Sequence, residues 1–191
     1  MNGWRRDAAL GRLRPGVKVR FSRTFTPELV RAFGELSRDY NPVHTDPAFA
    51  RALGFRDVVC HGFLVASMIT ELGGQWAWLA TGCSVEFRKP VYVGETVTCE
   101  LTITSVDARR RAVAHAVLTN ARGDVVQRAT LTGVLPRDSA QARLAAMLDE
   151  GDPTNPLARP APTERRPAPR GRRGPSRKVS ALTKRRRSIR S

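Results

Sequence analysis

Between Cys83 and Leu135 the chain alternates apolar and polar residues in four successive stretches. Just ahead of them lies one stretch, Gly62 to Leu72, that is apolar on nearly every side. Alternation at period two makes strands with one buried face, and a helix that is apolar all round has to be covered from several directions. A strongly curved antiparallel sheet wrapped around one central helix meets both demands. The combination predicts an α+β domain of that design.

The strand stretches are Cys83–Arg88, Glu95–Val106, Ala112–Asn120 and Asp124–Leu135. The links at 106–111 and 122–123 are short, so the strands they join pair antiparallel. Pro90 falls at a break between strands, where its missing N–H is tolerated. A further strand is expected over Val17–Phe25. Thr26-Pro27-Glu28 then starts a helix with a hydroxyl cap, a Pro in the first turn and an acid near the positive end. Leu29, Val30, Phe33 and Leu36 continue it to about Ser37. Arg38 to Asp46 reads as a loop broken at Asn41-Pro42, and Asp46-Pro47 opens a short helix ending near Gly54. Gly73-Gly74 is expected to stop the apolar helix, and a last short helix is expected over Ser139–Leu148.

A length of 191 residues suits one domain. We divide it into an N-terminal extension at 1–16, a folded domain at 17–150 and a disordered tail at 151–191. The tail is rich in Pro, Arg, Ala, Gly and Ser. It carries 13 Lys and Arg against Asp152 and Glu164, or +11 of the net +16. Such a segment buries almost nothing. Its basic runs, Arg170–Arg173 and Lys184–Arg187, suit weak, non-specific contact with a polyanion. The first 16 residues lack the apolar core of a signal peptide, and no run approaches the ~18 apolar residues of a spanning helix. Cys60, Cys83 and Cys99 are odd in number and show no CxxC spacing. They argue against a disulfide framework or a zinc site and for a reducing, cytoplasmic setting. No metal or cofactor is expected.

The chemistry concentrates in Asp39-Tyr-Asn-Pro-Val-His44 and Cys60-His61-Gly62-Phe63. The first places a carboxylate and an imidazole on either side of an Asn-Pro turn. The second places a Gly at the start of the apolar helix. An Asp and a His can together activate a water, and the unpaired N–H groups of a helix start can hold a developing oxyanion. Those are the parts of a hydratase site. Each residue also has a plainer reading: Asp39 as a turn former, Asp46 as a helix cap, His61 as a residue packed near the loop, His115 as an ordinary strand residue. Trp76 and Trp78 suit an acyl pocket, the core or a dimer contact equally well.

Ser37-Arg-Asp-Tyr-Asn-Pro-Val-His-Thr-Asp-Pro-Ala-Phe-Ala50, Val59-Cys-His-Gly-Phe-Leu-Val-Ala-Ser67 and Phe87-Arg-Lys-Pro-Val-Tyr-Val-Gly-Glu95 resemble the MaoC-like hot-dog proteins, which include the (R)-specific enoyl-CoA hydratases. The resemblance runs over roughly residues 17–136, with the motifs in family order. It implies the hot-dog fold and places the catalytic pair on Asp39 and His44. It puts the backbone N–H that holds the thioester oxygen on Gly62, with Asn41, Ser67 and Thr70 as possible support. Arg38 stands where a Gly is common and Asp57 where a Pro is common. The implied reaction is reversible syn hydration of trans-2-enoyl-CoA to (R)-3-hydroxyacyl-CoA. The alternatives are dehydration of 3-hydroxyacyl chains on a carrier protein and a non-catalytic acyl-thioester-binding subunit. A thioesterase shares the fold, but the Asn-Pro-x-His and His-Gly pairing favours hydration. The implied partners are an acyl-CoA or acyl-carrier-protein thioester and a second hot-dog unit, in a homodimer or paired assembly.

Overall fold

The computed structural model describes residues 13–158. Its five strands form one antiparallel sheet: β1 (Lys18–Thr24), β2 (Leu79–Phe87), β3 (Thr96–Val106), β4 (Arg111–Asn120) and β5 (Val125–Val134), in spatial order β1-β3-β4-β5-β2. The two predicted hairpins, β3–β4 and β4–β5, form the centre. The outer pairs are joined across the chain, with Phe21 opposite Cys99 and Val85 opposite Ala129. Register shifts at Ala80/Gly82, Ile103/Ser105 and Leu118/Thr119 interrupt the ladders. Such bulges bend a sheet.

Four helices accompany the sheet: α1 (Pro27–Ser37), α2 (Pro47–Ala52), α3 (Gly62–Gln75) and α4 (Asp138–Asp149). The caps fall where the sequence places them: Thr26 accepts from Leu29 N–H, and Asp46 from Ala48 and Phe49 N–H. The inward rows of the sheet are Val97, Cys99, Leu101 and Ile103 on β3, and Ala112, Ala114, Ala116 and Leu118 on β4. They share one core with Leu64, Val65, Met68, Ile69 and Leu72 of α3. Small alanines at the centre of the sheet leave room for the bulky face of the helix. The result is the hot-dog architecture, a central helix in a curved antiparallel sheet. His115 is exposed on β4 between Thr102 and Thr130.

Two expectations are corrected. Helix α3 does not stop at Gly73-Gly74 but continues to Gln75, with Trp76 as its C-cap. Tertiary packing overrides the glycines there. Trp76 and Trp78 are both core residues, and Trp78 N–H donates back to Gly73 O at 2.8 Å. A Cβ on Gly133 would stand 2.0 Å from Trp78 Nε1, so that strand position accepts nothing larger than Gly.

The second correction concerns the domain boundary. Asp152 and Asn155 are buried. Asn155 and Gln75 exchange two amide hydrogen bonds of 2.9 and 3.1 Å, and Asn155 also donates to Asp152 at 2.8 Å. Residues 151–158 are therefore part of the fold, held by polar pairing that a search for apolar residues does not detect. Leu13 is likewise in the core, and Gly16 N–H bonds Ile103 O, so the folded part also begins ahead of Val17. Residues 1–12 and 159–191, with the basic runs expected to touch polyanions, lie outside the described residues.

Candidate active site

Helix α1 ends at Arg38, whose φ of +58° is the left-handed conformation a helix C-cap commonly takes. This is the position where the resembling family carries a Gly, and the turn it makes delivers Asp39. Asn41 then does two jobs. Its backbone N–H donates to Asp39 Oδ1 at 3.3 Å, and its side chain accepts from Val43 N–H, capping a single 3-10 turn over Pro42–His44. That turn is tied to the segment before α3 by Val59 N–H to Val43 O at 3.2 Å and by His44 Nδ1 to Val59 O at 2.7 Å. The loop and the helix start are thereby brought together.

The Val59 carbonyl can only accept, so His44 carries a proton on Nδ1 and turns Nε2 toward Asp39. Nε2 lies 3.8 Å from Asp39 Oδ2. The two side chains differ in exposure, 10% for His44 against 49% for Asp39, so the imidazole is the enclosed member of the pair.

Gly62 opens α3 behind His61, and His61 makes no side-chain cap bond. The first N–H groups of the helix are thus left at its positive end without a side-chain cap. Gly62 O accepts from Gln127 Nε2 at 2.8 Å, which fixes the Gly62–Phe63 peptide, while the His61 O of the preceding peptide accepts from Val65 N–H at 3.2 Å. A Cβ on Gly62 would stand 2.7 Å from the Phe87 ring. A cavity of about 410 Å³ opens here. His44, Gly62 and Gln127 contribute to its wall, Phe55, Val59, Val65 and Val91 make it apolar, and Phe63, Phe87, Arg88 and Lys89 also line it. Arg88 pairs with Glu86, and Lys89 with Asp124 at 2.6 Å. The Lys89 contact, with hydrogen bonds from Asn120 and Arg122, holds the Asp124 carboxyl down at about 2. Arg56 lies over the Tyr92 ring and pairs with Glu95.

Asp39 and Asn41 are therefore joined to His44, which with Gly62 lines the cavity that Asp39 and Asn41 adjoin without lining; Ser67 and Thr70 are bonded elsewhere. Ser67 Oγ donates to Leu64 O and accepts from Arg23, which also pairs with Glu71. Thr70 donates to Ser67 O, and neither residue lies on the cavity wall. Trp76 and Trp78 belong to the core rather than to this cavity. Sequence reasoning missed Phe87, the Val59 carbonyl and Gln127. Of these, Gln127 carried a signal: it is a polar residue among the apolar positions of β5, and it is buried there.

Asp39, His44 and His61 offer three possible metal-ligand atoms within 4.8 Å of one another. Two of them belong to imidazoles stacked face to face, with centroids 3.8 Å apart and planes 29° apart. In-plane lone pairs of stacked rings run side by side rather than converge on one ion. The arrangement suits proton transfer better than metal binding.

The chain belongs to the MaoC-like domain family, whose model matches residues 12–124. It is 41% identical over 98 residues to the (R)-specific enoyl-CoA hydratase of Aeromonas caviae, covering 49% of this chain and 73% of that protein. It is 37% identical over 87 residues to the mitochondrial 3-hydroxyacyl-[acyl-carrier-protein] dehydratase of Arabidopsis thaliana, covering 44% of this chain and about half (52%) of that protein. A solved structure of an (R)-hydratase from A. caviae involved in PHA biosynthesis superposes with a TM-score of 0.63 at 34% identity, over 66% of this chain and 99% of that one.

Proposed function

We propose that this chain is a hydro-lyase that reversibly adds water syn across trans-2-enoyl-CoA to give (R)-3-hydroxyacyl-CoA. The observation that carries the reading is one constellation: His44 Nε2 3.8 Å from the Asp39 carboxylate, and an α3 N-terminus without a side-chain cap, with His44 and Gly62 on the wall of an apolar cavity. Two neighbouring acceptors can bind both hydrogens of one water. As the water oxygen attacks C3, the pair takes one of its protons and supplies one to C2 on the same face. The negative charge that grows on the thioester oxygen meets the Gly62 N–H and the positive end of α3. Asn41 is a positioning residue, since it bonds Asp39 and caps the turn that carries His44. Catalysis needs no metal or cofactor in this scheme.

The likeness to the A. caviae hydratase supports CoA thioesters as substrates, and the likeness to the A. thaliana dehydratase supports a second reading, elimination of water from 3-hydroxyacyl chains on a carrier protein. The deciding experiment follows the enoyl-thioester absorbance of crotonyl-CoA with free thiol measured in parallel. Loss of the enoyl band without thiol release is the expected result. Thiol release means thioester hydrolysis and overturns it. Running 3-hydroxybutyryl chains on CoA and on carrier protein separates the two substrate readings.

The same proposal includes pairing of two hot-dog units, in a homodimer or a closely related assembly. Edge strand β2 is exposed along nearly all its length, Leu79 and Phe87 are exposed at its two ends, and Phe63 packs edge-on against Phe87 at 5.4 Å. An uncovered apolar edge of this kind calls for a partner. Light scattering should give the mass of at least two chains, and an active monomer would contradict it. A cytoplasmic setting fits Cys60, Cys83 and Cys99 as free thiols. Among the described residues no helix is long and apolar enough to cross a membrane.

A further inference from the structure

His61 sits where four pieces of the site meet. It precedes Gly62, and its ring stacks on His44 with centroids 3.8 Å apart. Phe33 of α1 packs against it at 5.1 Å, and Gly34 of the same helix faces the ring, where a Cβ would stand at ordinary contact distance, 3.6 Å from His61 Cε1. His61 Nε2 lies 3.0 Å from the backbone carbonyl of Asp39, whereas Nδ1 is buried with no hydrogen-bond partner among the described residues. A carbonyl accepts, so the proton is on Nε2. Among the described residues the buried Nδ1 has no acceptor for a second one.

Resting on the function proposed above, we propose that neutral His61 is a positioning residue for both members of the catalytic pair. Its Nε2–H holds the Asp39 peptide, and through it the direction of the carboxylate. Its face blocks rotation of the His44 ring, leaving the hydrogen bond to Val59 as the one arrangement that ring keeps. Its neutrality is part of the role. When His44 takes the proton from water, a second cation stacked on it would oppose the transfer, and His61 stays uncharged. The charged and titratable groups that face it are His44 and Asp39, and α1 contributes Phe33 and Gly34, which do not titrate. Burial, chiefly, and the neighbouring His44 hold His61 below its ordinary value, against the pull of Asp39.

The test compares His61→Leu with His61→Gln in the full chain. The Leu variant keeps bulk but donates nothing, and the Gln variant returns an N–H donor. With crotonyl-CoA, His61→Leu should lower kcat by ~10- to 10²-fold with KM nearly unchanged, as expected when a reacting group is misplaced rather than removed. His61→Gln should recover most of that loss. Parent turnover in the Leu variant, or equal impairment in both, would overturn the proposal.

Nitrogen NMR of the unsubstituted chain tests it independently of whether either variant folds. It should find His61 neutral, with its proton on Nε2, throughout the pH range of activity. A charged His61 at the pH optimum, or a proton on Nδ1, would overturn it. If the parent chain hydrates no enoyl-CoA, the function proposed above fails, and the NMR result still decides whether His61 holds Asp39.

Discussion

Gly62→Ala adds one methyl at the point where the chemistry and the packing are both tightest. The new Cβ would stand 2.7 Å from Phe87 Cε1 and 3.0 Å from Cδ1. Carbon atoms rest at about 3.5 Å, so the ring must retreat by roughly 0.8 Å. Phe87 is 52% exposed near the end of an edge strand, so it can move. The stability loss should therefore sit near the low end of overpacking, at about 1 kcal/mol. Catalysis should suffer more. The methyl and the displaced ring both project at the cavity wall beside the Gly62 N–H, and losing one oxyanion donor is worth about 3 kcal/mol, or ~10²-fold in kcat. Thermal melts and crotonyl-CoA hydration measure the two effects separately. Gly62→Ala combined with Phe87→Leu should regain stability, because the smaller side chain relieves the clash, without regaining activity. A folded Gly62→Ala chain turning over at the parent rate would show that Gly62 is not the donor. Full activity in the double variant would assign the loss to Phe87 instead.

Asp39→Asn and His44→Ala should each lower kcat by ~10²-fold or more without unfolding the chain, as general acid–base groups do, and near-normal turnover in either removes that residue from the mechanism. A chain ending at Glu150 loses the Asn155–Gln75 pair and should be less stable by about 1–3 kcal/mol in denaturant melts, from two buried hydrogen bonds at about 0.5–1.5 kcal/mol each. A chain ending at Ala158 should keep that stability, and equal melting of the two chains would mean the segment is not held. Arg38→Gly relieves a left-handed backbone worth about 1–2 kcal/mol but gives up part of that to added freedom in the unfolded chain, so a net gain of about 0.5 kcal/mol is expected. A loss instead would show that the Arg38 side chain contributes contacts of its own.

Much of the fold was legible because local signals and global packing agree in it. Thr26-Pro27 and Asp46-Pro47 cap their helices for reasons contained within a few residues, and the alternation in β3 and β4 reports one buried face directly. The two misreadings arise where partners distant in sequence decide. Glycine favours ending a helix by local preference, yet Gly73 and Gly74 sit in α3 because Trp76, Trp78 and Asn155 close over its last turn. Asn155 looked like tail because its surroundings are polar and proline-rich. What buries it is a reciprocal amide pair with Gln75, 80 residues away, which no composition window can register.

The site divides the same way. Asp39, His44 and Gly62 could be proposed from sequence because their residue types and the turns beside them suggest the chemistry. Their supports could not, since each is defined by a contact rather than a type. The Val59 carbonyl holds a proton on His44 Nδ1, Gln127 bonds the carbonyl of Gly62, and the His61 ring rests against α1 and a backbone oxygen. Ser67 shows the converse. A hydroxyl one turn into the helix suggests a role at the cavity, but Arg23 of β1 and the Leu64 carbonyl occupy it. A catalytic group can be recognised from its reactivity, whereas a positioning group is recognised from its geometry. For that reason His61, which from sequence reads only as a residue packed near the loop, becomes in the structure the residue we propose to position Asp39 and His44.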